Sequence, residues 1–283
     1  MALVILSSLF NAAIFALFKA LGARRIALLP AIVVNYLVAF LFGMAHARPW
    51  AMGDLGLLWL PSVIEGALFI LLFRLMGLST QWNGISPTTV ASKMSLALTV
   101  LASVVIFREH PGGAAWAGIV LAVAGVVLSS WGDRAAPGKG RWALPVIFVA
   151  SAFTDVLLSA TQRTRLTPVT EAAFPTFIFG FAAFFGLCWL AFRSERRSLL
   201  DRSTWIAGTL LGLLNYGSIL FLVMGLSRSG LDASSVFPLA NVAVILFGAA
   251  ASVLLFRERL RTIHWAGIAL SVVSLILILA SGT

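Results

Sequence analysis

Apolar runs long enough to form membrane-crossing helices alternate along this chain with short polar breaks. Ten such runs can be drawn, approximately Leu3 to Leu21, Ala27 to Ala45, Leu57 to Leu78, Ile85 to Phe107, Gly112 to Trp131, Ala143 to Gln162, Glu171 to Phe192, Trp205 to Leu226, Ala233 to Phe256 and Ile263 to Ala280. At 1.5 Å per residue, roughly 20 helical residues cross about 30 Å of hydrocarbon. In lipid every backbone amide needs an internal partner, so these runs are expected to be helices. Pro30, Pro61, Pro87 and Pro145 fall near their starts, where a missing N–H is harmless.

The connectors are short and rich in helix breakers. Residues 133–142, beginning Asp133-Arg134-Ala135-Ala136-Pro137-Gly138, read as a linker between residues 1–132 and 143–283. Five runs lie on each side, and an odd number makes the second half enter the membrane from the opposite face. The pattern therefore predicts an all-α polytopic membrane protein with ten transmembrane helices arranged as two inverted five-helix repeats. The first run has no basic segment before it and contains Asn11 and Lys19, so it reads as a retained helix and not as a cleaved signal.

An internal duplication supports the division. Ala102-Ser103-Val104, Phe107-Arg108-Glu109 and Trp116-Ala117-Gly118-Ile119 recur as Ala251-Ser252-Val253, Phe256-Arg257-Glu258 and Trp265-Ala266-Gly267-Ile268, about 149 residues later without a gap. Gly118, Ala122 and Gly125, and Gly248 to Ser252, give the small-residue faces that let helix backbones approach closely.

Composition narrows the functional classes. Hydrophobic residues make up 60% of the chain, charged residues 11%, and mean hydropathy is +1.02, more apolar than a water-soluble domain can cover. The net charge of +10 would suit nucleic acid in a soluble protein. Here most Arg and Lys fall at the ends of apolar runs, which reads as topology control, so no nucleic-acid partner is expected. Alternate connectors carry about 13 basic residues against 5, which by itself puts both termini outside the cytoplasm. Cys188 is the only cysteine, excluding an intrachain disulfide or thiolate cluster. No His-Glu-x-x-His or Gly-x-Ser-x-Gly occurs, so neither an enzyme nor a cofactor is expected.

Polar residues inside the runs are the candidate site. A charge within a span costs about 2.5–3.5 kcal/mol on insertion scales and generally faces a cavity or a partner. Glu65 and Lys93 lie about 12 Å into their spans and Asp155 about 18 Å. Ser151, Asp155, Ser159 and Gln162 form one helical stripe, while Ser86 and Thr89 share a face with Lys93. Asn11, Asn215 with Tyr216, and Asn241 one turn after Pro238 extend the set. The expected pathway is thus Asn11, Glu65, Lys93, Ser151, Asp155, Asn215, Tyr216 and Asn241. The bland alternative is that the charges and hydroxyls only hold helices together. Arg74 is expected to snorkel to the interface, and Arg108-Glu109 and Arg257-Glu258 to serve as helix caps or a gate latch, the structural role being favoured.

The chain resembles the EamA branch of the drug/metabolite transporter superfamily. The resemblance rests on Asn11 and Lys19 in the first run, Ile85-Ser86-Pro87 opening the fourth, Phe-x-Glu ending the fourth and ninth, and Gly-Ile in each following run. It departs from the family in having Arg108 and Arg257 where Gly is commoner. It implies ten helices, inverted repeats and a central cavity in a secondary transporter, often an exporter of amino acids or similar metabolites. It also implies cytoplasmic termini, against the charge bias, so orientation stays open.

The expected function is export of small polar metabolites by alternating access around a mid-membrane cavity, with proton coupling through Asp155 or Glu65. The protein is expected in the plasma (inner) membrane, in contact with lipid and a small-molecule substrate, and functional as a monomer. The rival is a non-transporting membrane binding or assembly protein whose buried charges only lock helices.

Overall fold

A computed structural model describes residues 2–53, 55–107, 113–130, 140, 142–165, 173–228 and 233–281. Among these the chain is entirely helical, with eleven α-helices and no strand. They are α1 (Ala2–Ala23), α2 (Leu28–Ala47), α3 (Gly56–Asn83), α4 (Ile85–Lys93), α5 (Ser95–Phe107), α6 (Gly113–Ser130), α7 (Ala143–Arg165), α8 (Ala173–Ala191), α9 (Arg202–Arg228), α10 (Ala233–Phe256) and α11 (Thr262–Ser281). Short 3-10 segments, Pro49–Ala51 and Ser194–Leu200, fill two connectors.

Among the described residues, seven stretches are long and apolar enough to cross a membrane: Ala2–Ala23, Leu28–Ala51, Gly56–Asn83, Ile85–Ala102, Ala173–Ala191, Arg202–Leu222 and Pro238–Phe256. Shorter apolar stretches lie at Trp116–Leu128, Ala143–Leu158 and Thr262–Leu277. Large apolar side chains point outward, with Val120 at 66%, Leu254 at 75% and Leu255 at 69% exposure. Water would not tolerate so much outward apolar area, whereas lipid does. The chain is a multi-pass membrane protein.

The fourth run departs from expectation, because it is two helices and not one. α4 ends at Lys93 and α5 begins at Ser95, with Met94 between them. The Ser95 hydroxyl lies 2.7 Å from Ser92 O, which competes with Asp155 for its single proton, and Thr99 Oγ1 donates to Ser95 O at 3.2 Å. Ala97 N reaches Met94 O at 3.0 Å, a three-residue step that tightens the ladder. Serine and threonine back-bonding of this kind competes with the regular ladder and bends helices. Pro61, six residues into α3, frees the carbonyl of Leu57, and Arg165 Nη1 donates to that oxygen at 3.0 Å.

The helices gather into two compact units, each drawing on both halves of the chain. Residues 1–19, 76–155 and 217–283 form the first, and residues 20–75 and 156–216 the second. In the first, α6 and α11 run antiparallel. A Cβ on Gly125 would meet Gly267 O at 3.1 Å, and Ser274 Oγ donates to Gly118 O at 2.6 Å. α4 and α10 are also antiparallel, Gly248 packing on Thr89 while Glu258, past the end of α10, meets Ile85. α1 lies along α10, with Val4 packed beside Val236 and Ala240, and Ser8 Oγ donating to Ala240 O at 3.1 Å.

In the second unit, α2 and α8 run antiparallel. Gly43 faces Thr176, Gly180 faces Phe40 and Gly186 faces Val33, a descending register that only opposed helices produce. The Tyr36 hydroxyl donates to Phe69 O of α3 at 3.0 Å, and Leu58, Phe174 and Ile178 form a buried cluster.

Small residues and interhelical hydroxyls replace the hydrophobic effect as the packing device, because lipid tails are as apolar as leucine. Ser274→Ala, losing its bond to Gly118 O, is expected to cost about 0.5–1 kcal/mol and roughly 2 °C of apparent melting temperature in detergent. Ser271→Ala, whose hydroxyl bonds Gly267 O of its own helix, should cost less in the same melting assay.

Candidate functional site

The break in the fourth run positions the strongest polar cluster. α7 carries Asp155 against it, and Ser95 Oγ donates to Asp155 Oδ2 at 2.8 Å. Lys93, the last residue of α4, acts electrostatically on the same carboxylate. A cation at the C-terminus of α4 and an anion at the N-terminus of α5 each meet the favourable end of a helix dipole. Ser151, one turn before Asp155, is buried, and its Oγ has no protein partner among the described residues. Thr154 turns its hydroxyl to Ser151 O at 2.8 Å. One cation, one anion and the Ser95 hydroxyl therefore gather where α4 gives way to α5.

Asn11 and Asn241 belong to the same unit. Both are half-buried, and each lies within one turn of the Ser8 to Ala240 bond on its own helix. Ser159 and Gln162, which complete the sequence stripe on α7, have side chains outside the described residues.

Glu65, Asn215 and Tyr216 belong to the second unit. Glu65 is fully buried, next to Gly66, where α3 touches α8, and Ser62 is buried one turn before it. Asn215 Nδ2 donates to Asn35 Oδ1 at 3.3 Å. The Tyr216 hydroxyl lies 2.8 Å from His46 Nδ1, with the ring of Phe42 alongside. The site residues thus divide between the units, Asn11, Lys93, Ser151, Asp155 and Asn241 in one and Glu65, Asn215 and Tyr216 in the other.

Sequence reasoning passed over Ser95, Asn35 and His46. Asn35 was detectable, being a lone amide in the apolar run Leu28–Ala47 and fully buried there. Ser95 was not, because a serine in an apolar run is commonplace and only the bend in its helix aims it at Asp155. Arg74 sits 4.5 Å over the ring of Trp189, a cation–π contact. Trp82 packs against Trp142 and Gly140.

Arg108-Glu109 lie outside the described residues, but the second copy of that motif is visible. Arg257 takes a left-handed backbone, φ 52°, which folds the chain back after α10. Glu258 then meets Lys19 at 2.9 Å, and its carboxylate also accepts from Ile85 N at 3.3 Å and from the hydroxyl of Ser252. Among the described residues no three His, Cys, Asp or Glu side chains gather as a metal site would need.

An uncharacterized protein of Haemophilus influenzae is 26% identical over 289 residues, spanning 95% of this chain and 94% of its own. A solved crystal structure shares 18% identity over 89% of this chain and 98% of its own, at a TM-score of 0.40, too loose to carry an argument about the fold. Residues 141–280, which include the second copy of the duplicated motifs, match the EamA-like transporter family. By that match the chain belongs to the EamA-like transporters of the drug/metabolite transporter superfamily.

Proposed function

We propose that the protein is a secondary transporter, and an exporter by resemblance, that moves small polar metabolites by alternating access. The observation that carries this reading is the Lys93, Ser95 and Asp155 cluster at a helix break. A cation and an anion beside a bent apolar helix suit a small zwitterion such as an amino acid, and intramembrane charge of this kind generally marks a pathway. Discontinuous helices are a recurrent way of building such sites.

Ten crossings and two inverted repeats, residues 1–132 and 143–283, belong to the same proposal. What supports them is the direction of packing. α2 with α8, α4 with α10 and α6 with α11 are the equivalent helices of the two halves, and each pair touches antiparallel. A residence in the plasma membrane and activity as a monomer complete the reading.

Transport is tested in liposomes with a panel of labelled amino acids. Wild-type uptake should follow an imposed pH gradient, and Asp155→Asn should transport without that dependence. An unchanged pH profile with intact activity removes Asp155 from coupling, and a wild type that moves no member of the panel overturns the amino-acid assignment.

A further inference from the structure

The contacts of Glu258 go beyond a helix cap. Three elements of the first unit converge on its carboxylate: α1 through Lys19 Nζ at 2.9 Å, the start of α4 through Ile85 N at 3.3 Å, and α10 through the Ser252 hydroxyl. The backbone accommodates the carboxylate closely. Gly84 takes φ 96°, and a Cβ there would lie 3.0 Å from Glu258 Oε2 and 3.3 Å from its Cδ. Asn83, immediately before, donates to Ser79 Oγ and to Gly140 O at 3.0 Å each, holding the junction of α3 and α4.

α4 is nine residues long, with Ile85 at one end and Lys93 at the other. A helix this short moves as a rod, so what fixes Ile85 also fixes where Lys93 stands relative to Asp155. The ion pair is half-buried, 26% exposed on Lys19 and 17% on Glu258.

We infer that Glu258 is a positioning residue for the charge site: its pairing with Lys19 is a latch that holds α4, and hence Lys93, in one of two positions. The inference rests on the transport reading for its purpose, since a transporter must release such a tie once per cycle. The ion pair contributes closure, the Ile85 N–H contributes direction, and Ser252 keeps the carboxylate turned inward.

The test reads accessibility and needs no cargo. In a Cys188→Ser background, Ser86→Cys places a reporter on the first turn of α4, where Ser86 is 1% exposed. Ser271→Cys on α11, at 0% exposure, is the control. With N-ethylmaleimide on purified protein, Glu258→Gln and Lys19→Gln should each raise the labelling rate at position 86 by about tenfold or more, leaving position 271 unchanged. Lys19→Arg, which keeps the cation, should restore protection. A rise at both positions would mean general loosening, and no rise at 86 would mean that the pair holds nothing; either overturns the latch. If Glu258→Gln does not fold, the Lys19→Gln and Lys19→Arg comparison decides by the same criteria. Transport with unmoved labelling sinks the latch alone, whereas the expected labelling without transport keeps the tie on α4 and sinks the transport reading.

Discussion

Lys93→Met is expected to abolish uptake and to destabilise the protein by about 1 kcal/mol, since Lys93 and Asp155 are half-buried and act on each other only electrostatically. The sign follows from what remains. Asp155 keeps the Ser95 hydroxyl at 2.8 Å but loses the nearby cation, and a carboxylate in an apolar surround is costly without one. Lys93→Met with Asp155→Asn removes both charges, so most of the stability should return. Transport should not return, because the cation that would hold the carboxylate of a zwitterion is gone. A double variant that regains full activity would instead identify an assembly protein whose charges only lock helices. Melting in detergent and uptake in liposomes, measured on the four members of this cycle, separate the two.

Gly66→Leu is expected to prevent the second unit from folding. A Cβ at this position would meet Phe181 Cβ at 2.5 Å, Ala182 N at 2.9 Å and Ile178 O at 3.0 Å. Two of these are backbone atoms of α8, which cannot turn aside as a side-chain end would. Replacing glycine in a helix gains up to about 1 kcal/mol in propensity. Overpacking costs about 1–3 kcal/mol for extra methylenes in a tight core, and four added carbons against backbone lie beyond that range. The steric term therefore wins. The variant should be recovered only in aggregated form by size-exclusion chromatography, while Gly113→Leu, where a Cβ meets nothing within 4 Å, should elute as wild type.

The two predictions differ in how far the sequence anticipated them. Lys93 and Asp155 stood out as charges in apolar runs, because the cost of burying a charge is visible residue by residue. Their meeting through Ser95 did not, since it depends on Met94 interrupting the helix. Gly66 carries no local signal: its neighbours on α8 are more than a hundred residues away, and only packing makes a side chain there intolerable. Glu258 falls between the two, its motif plain in the duplication and its partner Lys19 hidden at the other end of the chain.

What the sequence determined alone was the solvent and the elements. Runs of apolar residues cannot satisfy their backbone in lipid except as helices, so length and hydropathy suffice for membrane residence and for most helix positions. The duplicated motifs likewise announced two related halves. Tertiary structure decided which polar groups meet. It drew helices of both halves into each unit, assigned Glu65, Asn215 and Tyr216 to one unit and Lys93 and Asp155 to the other, and brought Glu258 to Lys19. The reason is physical. Backbone bonding in a helix closes over four residues and can be read locally, whereas contacts between helices depend on rotation and register that small residues set across hundreds of positions.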